Sequence, residues 1–372
     1  MPADDARIAS PAAGAAKAPP AKFGKGFLFD AWYFAALSRE VKTGKLTRYE
    51  ILGEPVLVSR GKDGKVFAIR DVCPHRAAPL SGGKLTQEAD GRSSVECPYH
   101  GWRFGSDGVC ASIPSLTSDQ SLEVSRIRVR RYPAVESQGM VFVWISGDPR
   151  FDGEPPEPPP SFPGVVGGQA KIVDSMIFET HMDHAVVGLM DPTHAPYVHE
   201  AWWARSSKRQ SEKTKVFAPS PEGFVMRRHG RSKANRLYDI LGGAPEIEIT
   251  FRLPGYRWEH IVVGKHQVLA LTCLTPLTET STRISQLIWS DHPVMAFRAL
   301  IAPFAREFLR QDGRMVNLQN EGLKYDPALI WIDDADTQAK WYQQLKREWV
   351  ASRNEGRPFV NPVKETTLKW RS

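Results

Sequence analysis

"DVCPHRAAPLSGG" (residues 71–83) and "ECPYHGWRF" (residues 96–104) each set a cysteine and a histidine nearly side by side. The pairs are Cys73 with His75 and Cys97 with His100, in the pattern C-x-H, 21 residues, C-x-x-H. Pro74 and Pro98 stiffen the two turns, and Ser81-Gly82-Gly83 allows close backbone approach. Two thiolates and two imidazoles on short loops read as a metal ligand set rather than as core packing. A zinc module with two Cys and two His is one candidate, although such modules usually open with C-x-x-C or a wider gap. The spacer between the pairs is polar around "TQEADGRSS" (residues 86–94) and reads as a solvent loop.

The surrounding segments read as short strands. "EPVLVSR-GKDG-KVFAIRD" is a hairpin pattern, and "SLEVSRIRVRRYPAVESQGMVFVWIS" repeats it with a Ser-Gln-Gly turn. "GDPRFDGEPPEPPPSFPG" (147–164) is dominated by proline and reads as an extended connector. After it come a strand-like "AKIVDSMIFET", a His-rich stretch around Asp191, and strand candidates "TKVFAP", "GFVMRRH", "PEIEITFRL", "RWEHIVV", "HQVLALTCLTP" and "TRISQLIWS". Two helical patterns, roughly 293–323 and 334–353, close the chain. Strands followed by helices predict an α+β class with helices on one face of an antiparallel sheet. The expected division is a disordered tail over 1–25, a first domain over 26–147, a linker over 148–164 and a second domain over 165–372.

The bulk numbers narrow the function. A chain of 372 residues with 41% hydrophobic residues fills two ordinary domains. The net charge of +7 is a mild, scattered excess, which argues against nucleic acid and tilts weakly toward an anionic substrate. No apolar run reaches the roughly 18 residues of a membrane span. The first 26 residues are rich in Ala, Pro and Gly and lack an apolar signal core, so a cytoplasmic protein is expected. Four cysteines in such a chain favour metal binding for two of them over disulfides. Cys110 and Cys273 read as small buried hydrophobes.

"CPHR" and "CPYHGWRF" together resemble the Rieske [2Fe–2S] motif, in which one iron takes two thiolates and the other two imidazoles. Replacing two anionic ligands with neutral ones raises the cluster's reduction potential. Beside this motif, "GLMDPTHAPYVHE", with Asp191, His194 and His199, resembles the mononuclear iron site of the Rieske non-haem iron oxygenases. Alone, that spacing also fits structural histidines. The resemblance implies that His194 and His199 bind Fe(II). It implies that Asp191 bridges a metal histidine to His100 or His75 of a neighbouring subunit, within a homotrimer.

A facial triad needs a carboxylate as its third ligand. In the family it comes from a C-terminal helix, and "FAREFLRQDGRMVNLQNEGL" offers several acids. Asp312 has Phe308, Met315 and Val316 at i−4, i+3 and i+4, an apolar stripe where a carboxylate is costly unless paired or metal-bound. Glu307 and Glu321 have polar or basic neighbours and fit solvated faces. Asp312 is therefore the expected ligand. Many family members carry Asn three or four residues before the bridging Asp, where this chain has Val187 and Gly188.

The resemblance implies a Rieske domain followed by a helix-grip catalytic domain. It implies one [2Fe–2S] cluster and one Fe(II) per chain, and the role of terminal oxygenase component. Electrons from a separate reductase or ferredoxin would support O2-dependent hydroxylation or oxidative demethylation of an aromatic or polycyclic substrate. No G-x-G-x-x-G is present for a nucleotide. Ring cis-dihydroxylation and a pure electron-transfer Rieske protein are the alternatives. His181, Asp183 and His184 read as satisfied polar groups, and His229, His260, His266 and His292 as structural. Trp202, Trp203, Tyr256 and Trp258 are aromatic candidates for a pocket wall, none singled out.

Overall fold

The computed structural model describes residues 22–165, 168–199, 211–230, 241 and 243–372. Residues 1–21 of the expected tail, with Trp202 and Trp203, lie outside them. The N-terminal half contains β1 (Ala31–Leu37), β2 (Thr47–Ile51), β3 (Glu54–Arg60), β4 (Val66–Arg70), β5 (Lys84–Gln87), β6 (Ser93–Glu96), β7 (Arg103–Gly105), β8 (Cys110–Ser112), β9 (Arg131–Tyr132), β10 (Ala134–Ser137) and β11 (Met140–Ile145). They form three antiparallel sheets, ordered β1-β11-β10, β2-β3-β4-β9 and β5-β6-β7-β8. The β10–β11 hairpin turns at Gln138 and Gly139, both at positive φ, so the Ser-Gln-Gly reading holds.

Two local expectations change. Part of the polar spacer is itself paired: β5 and β6 form a hairpin, and only its tip near 88–92 is free of the ladder. Ser93 and Ser94 are buried there, with Ser94 Oγ 2.7 Å from Thr86 Oγ1. The alternating stretch 121–131 is not one strand either. Its backbone bonds two sheets in turn: Cys110 N–H donates to Ile127 O at 2.9 Å, then Arg70 N–H to Arg130 O at 2.8 Å. A chain that crosses between sheets satisfies its amides without a continuous ladder.

The second half adds β12 (Ile172–Phe178), α1 (Met182–Met190), α2 (Ala195–Val198), β13 (Glu212–Ser220), β14 (Gly223–Gly230), β15 (Glu246–Arg252), β16 (Tyr256–Val263), β17 (His266–Thr278), β18 (Ser281–Ser290), α3 (Arg298–Leu323), α4 (Thr337–Glu355) and β19 (Thr366–Arg371). Its eight-stranded antiparallel sheet has the order β12-β18-β17-β16-β15-β14-β13-β19. Helices do not quite close the chain: β19, absent from the sequence reading, pairs with β13 at the edge. Helix α4 buries Trp341, Tyr342, Leu345 and Trp349 and ends at Gly356 in the left-handed region.

The sheet has two working faces. One packs on β1 and β11, where Trp32, Phe34 and Trp144 meet Tyr256, Trp258, Leu271 and Trp289. Tyr256 and Trp258 are thus buried packing residues. Tyr256 OH donates to Trp32 O at 2.8 Å and Thr275 Oγ1 to Phe34 O at 2.9 Å, across the seam between the halves. The other face carries the helices. Helix α3 runs in the same chain direction as β12, tied by Arg306 to Asp174 at 3.2 Å and by Asn320 to the Glu179 carbonyl. Residues 146–165 carry no regular element. Phe162, buried against Tyr256 and Trp258, and Trp32 Nε1, which donates to Glu157 O at 2.9 Å, seat this connector.

Residues 22–25, the last of the expected tail, are also held. Gly24 N–H donates to Asp183 Oδ2 at 2.6 Å, and Lys346 Nζ donates to Lys25 O at 3.1 Å and to Asp183 Oδ2 at 2.7 Å. Tyr342 OH completes the buried carboxylate's shell at 2.7 Å.

Candidate metal centres

Cys73 and Cys97 sit on the tips of two loops with the same backbone plan. Cys73 N–H donates to Ala78 O and receives Ala77 N–H on its carbonyl; Cys97 does the same with Trp102 O and Gly101 N–H. The residue four past each cysteine, Ala77 or Gly101, takes positive φ. For alanine this conformation costs about 1 kcal/mol, so the loops are held by their surroundings. Part of the hold is Asp71, wholly buried, which accepts Ser81 N–H and Ser81 Oγ–H at 2.6 Å each. A Cβ on Gly83 would lie 1.9 Å from Glu96 O, so only glycine lets the loops approach.

The two cysteines are buried and the two histidines exposed. The rings of His75 and His100 lie 4.5 Å apart, and Trp102 stacks on His75 at 4.6 Å and 5°. Burial pushes the Cys73 thiol up to about 11, so metal binding there displaces a proton. Local desolvation and the neighbouring His100 and Arg76 charges lower His75, which favours its neutral, ligating form. Among the described residues, His194, His199 and Asp312 form a further group of metal-ligating side chains, their donor atoms all within 4.8 Å of one another.

The triad comes from the turn after α1 and from α3. His194 Nε2 is 3.4 Å and His199 Nε2 3.5 Å from Asp312 Oδ1. Each ring has its other nitrogen occupied: His194 Nδ1 donates to Asp191 O at 2.7 Å and His199 Nδ1 to Gln311 Oε1 at 3.1 Å. Both lone pairs therefore point at the carboxylate. His199 is 1% exposed, and its Nε2 has no hydrogen-bond partner among the described residues. Leaving a buried nitrogen unsatisfied costs about 1–3 kcal/mol, a cost that a metal ion at this point removes. The donor set, two neutral imidazoles and a carboxylate, is the facial set of non-haem iron. Burial lowers His199, only partly offset by Asp312, whereas at His194 burial is outweighed by Asp312 and Asp191 together, which raise it. Phe308 stacks on His199 at 3.4 Å.

Residues 31–133 match the Rieske [2Fe-2S] domain family, and residues 179–352 match the vanillate O-demethylase oxygenase C-terminal domain. The chain belongs to the Rieske non-haem iron oxygenases. Among relatives, the oxygenase component of dicamba O-demethylase from Stenotrophomonas maltophilia is 35% identical over 228 residues, 59% of this chain and 58% of that protein. Chloroplastic chlorophyllide a oxygenase from Oryza sativa subsp. japonica is 31% identical over 47% of this chain, and the match spans only 29% of its own length. Carbazole 1,9a-dioxygenase terminal component from Metapseudomonas resinovorans is 32% identical over 45% of this chain and 42% of its own. The crystal structure of dicamba monooxygenase bound to dicamba has the same fold, with TM-score 0.68 and 23% identity over 88% of this chain and 99% of that one.

Within this Rieske oxygenase fold, Asp191 departs from expectation in one detail. Its main-chain carbonyl, not its carboxylate, binds His194; Oδ2 is 3.9 Å from that ring. Oδ1 accepts Thr193 N–H at 2.7 Å and Oγ1–H at 2.6 Å, and the side chain is 30% exposed. Of Val187 and Gly188, the positions expected to lack the family's amide, Gly188 faces Val316 of α3, 3.7 Å from where a Cβ would sit. On α3, Val316 is buried as expected but Met315 is exposed. Glu307 binds Arg310 and Arg314, and Glu321 binds Lys324, as their helical neighbours suggested.

His181 bonds Gly26 O at 2.9 Å, and the other histidines have structural partners such as Gln267 for His260. Cys110 and Cys273 are buried, as read. Gln311 was missed: it looked like a polar neighbour of Glu307, and only the fold brings His199 to it.

Proposed function

We propose that this chain is the terminal oxygenase component of a multicomponent system that oxidatively dealkylates or hydroxylates an aromatic organic substrate with O2. Cys73, Cys97, His75 and His100 would hold a [2Fe–2S] cluster, and His194, His199 and Asp312 a mononuclear Fe(II). When bound, these groups supply single electrons and the reduction of dioxygen. The chain's own residues do the rest. Asp191 O and Gln311 Oε1 lock both histidines with their Nε2 lone pairs inward, Phe308 covers the His199 face, and Asp312 supplies the negative charge. The carrying observation is the buried, unpartnered His199 Nε2 aimed at Asp312.

Electrons come from a separate reductase or ferredoxin. His75 and His100 are exposed, which suits transfer to Asp191 of another subunit in a homotrimer. A mass of three chains by light scattering supports that arrangement, and an active monomer removes it. The O- and N-dealkylating relatives, dicamba O-demethylase and chloroacetanilide N-alkylformylase, favour dealkylation. The carbazole dioxygenase relative keeps ring dihydroxylation as the second reading.

Anaerobic counts of iron and acid-labile sulfide test the core of the proposal. About three irons to two sulfides is expected; two to two indicates a pure electron carrier. Mass spectrometry of products from methoxy-aromatic probes with a surrogate reductase then separates loss of a methyl from gain of two hydroxyls.

A further inference from the structure

We infer that Gln311 is a positioning residue for the metal centre: its amide, oriented by Glu307, fixes the tautomer and ring plane of His199. The inference rests on the reading of His194, His199 and Asp312 as a metal site. Gln311 Oε1 accepts from His199 Nδ1 at 3.1 Å, while its Nε2 faces Glu307 Oε1 at 3.5 Å. Glu307 is in turn held by Arg310 at 3.1 Å and Arg314 at 2.7 Å.

The chain of consequences is directional. A carboxylate accepts only, so it draws the NH2 end of the amide outward and leaves the oxygen facing the histidine. An oxygen there demands N–H at Nδ1, which leaves the lone pair on Nε2, the atom aimed at Asp312. Phe308 stacking restricts the tilt of the same ring. The partner of His199 is thus a neutral amide, whereas a carboxylate in that place would make the imidazole a stronger donor. His194 is served differently, by the main-chain carbonyl of Asp191, which no side-chain substitution removes. The two histidines therefore differ in how their support responds to mutation.

The experiment uses full-length protein, dialysed against chelator and titrated with Co(II) alone, with cluster absorbance and melting as folding controls. Gln311→Met keeps the length and removes the acceptor. It is expected to weaken Co(II) about 10–100-fold and shift its visible bands while the cluster spectrum stays. Gln311→Glu restores an acceptor and is expected to bind at least as tightly as the parent. Glu307→Met, a second variant on the exposed side of α3, is expected to lose on the order of threefold. Parent-like affinity and bands in Gln311→Met overturn the inference, as does equal weakening by Gln311→Met and Gln311→Glu, which would mean shape rather than hydrogen bonding matters. A parent that binds no Co(II) overturns the metal-site reading itself, a distinct failure.

Discussion

The Cys/His quartet and the His/His/Asp triad are assembled in opposite ways. The quartet sits on two loop tips, one between β4 and β5 and the other between β6 and β7, each shaped by its own backbone bonds, with cysteines inside and imidazoles facing out. The triad joins the two ends of α2, just after α1, to Asp312 in the middle of α3, more than a hundred residues on in sequence, and its geometry depends on how α1 and α3 lie on the sheet. Local construction makes a site independent of the remainder of the fold and open to a partner. Long-range construction makes a site buried, with each ligand oriented by a second group. Electron entry suits the first and chemistry on a substrate suits the second.

The sharpest way to break this contrast is to empty one site and leave the other. Asp312→Ala should abolish mononuclear iron and product formation while cluster absorbance stays at parent level. Iron retained in that variant would move the third ligand to another acid. Asp191→Asn should keep both metals, because an asparagine oxygen still accepts from Thr193 and the His194 bond is to main chain. Turnover with reductant should nonetheless fall to background, and normal turnover would remove Asp191 from the electron route.

Scaffold changes should separate the sites less completely. Lys346→Met leaves the buried Asp183 carboxylate, in the first turn of α1, without its cation, a loss of about 3–5 kcal/mol. Denaturant unfolding should report it, with iron at the triad lost before the cluster. Gly83→Ala forces a methyl onto Glu96 O and should cost about 1–3 kcal/mol, bleaching the cluster first. If both variants lose the two centres together, the sites are not independent.

The smallest effect serves as a control remote from either site. Hydrogen bonds and charge from Arg357 hold the Glu348 carboxylate below its ordinary range. A lowered folded pKa stabilises above the unfolded value and fades as pH falls through the folded one. Glu348→Gln should therefore cost about 1 kcal/mol or less at pH 7, and the gap to the parent should close below about pH 4. A gap that does not narrow at all as pH falls through the carboxylate range would mean the ion pair is not its cause.

Legibility followed the same divide. Cys73, His75, Cys97 and His100 were readable because a loop carries its ligand, its proline and its glycine within a few residues. Asp312 was readable one step less directly, since helical spacing placed it beside Phe308 and Val316, although Met315 on the same argument is exposed. Gln311 gave no signal, since Glu307 and Arg314 are among its helical neighbours. Lys346 went unread although Tyr342, Trp349 and Val350 lie at i−4, i+3 and i+4, the setting that singled out Asp312. The partners of both, His199 and Asp183, are far away in the chain. β19 was missed because six residues after a long helix carry too short a pattern to announce an edge strand.

By itself the amino-acid order determined the family and the fold class and singled out the candidate ligands, since these depend on spacings of a few residues and on periodicities of two and 3.6. Only the tertiary structure decided which nitrogen of each histidine faces the carboxylate, that a carbonyl rather than a carboxylate supports His194, and that residues 22–25 are fastened over Asp183. Those outcomes depend on hydrogen bonds between groups brought together by sheet register and helix packing, and no local pattern encodes which distant partner arrives.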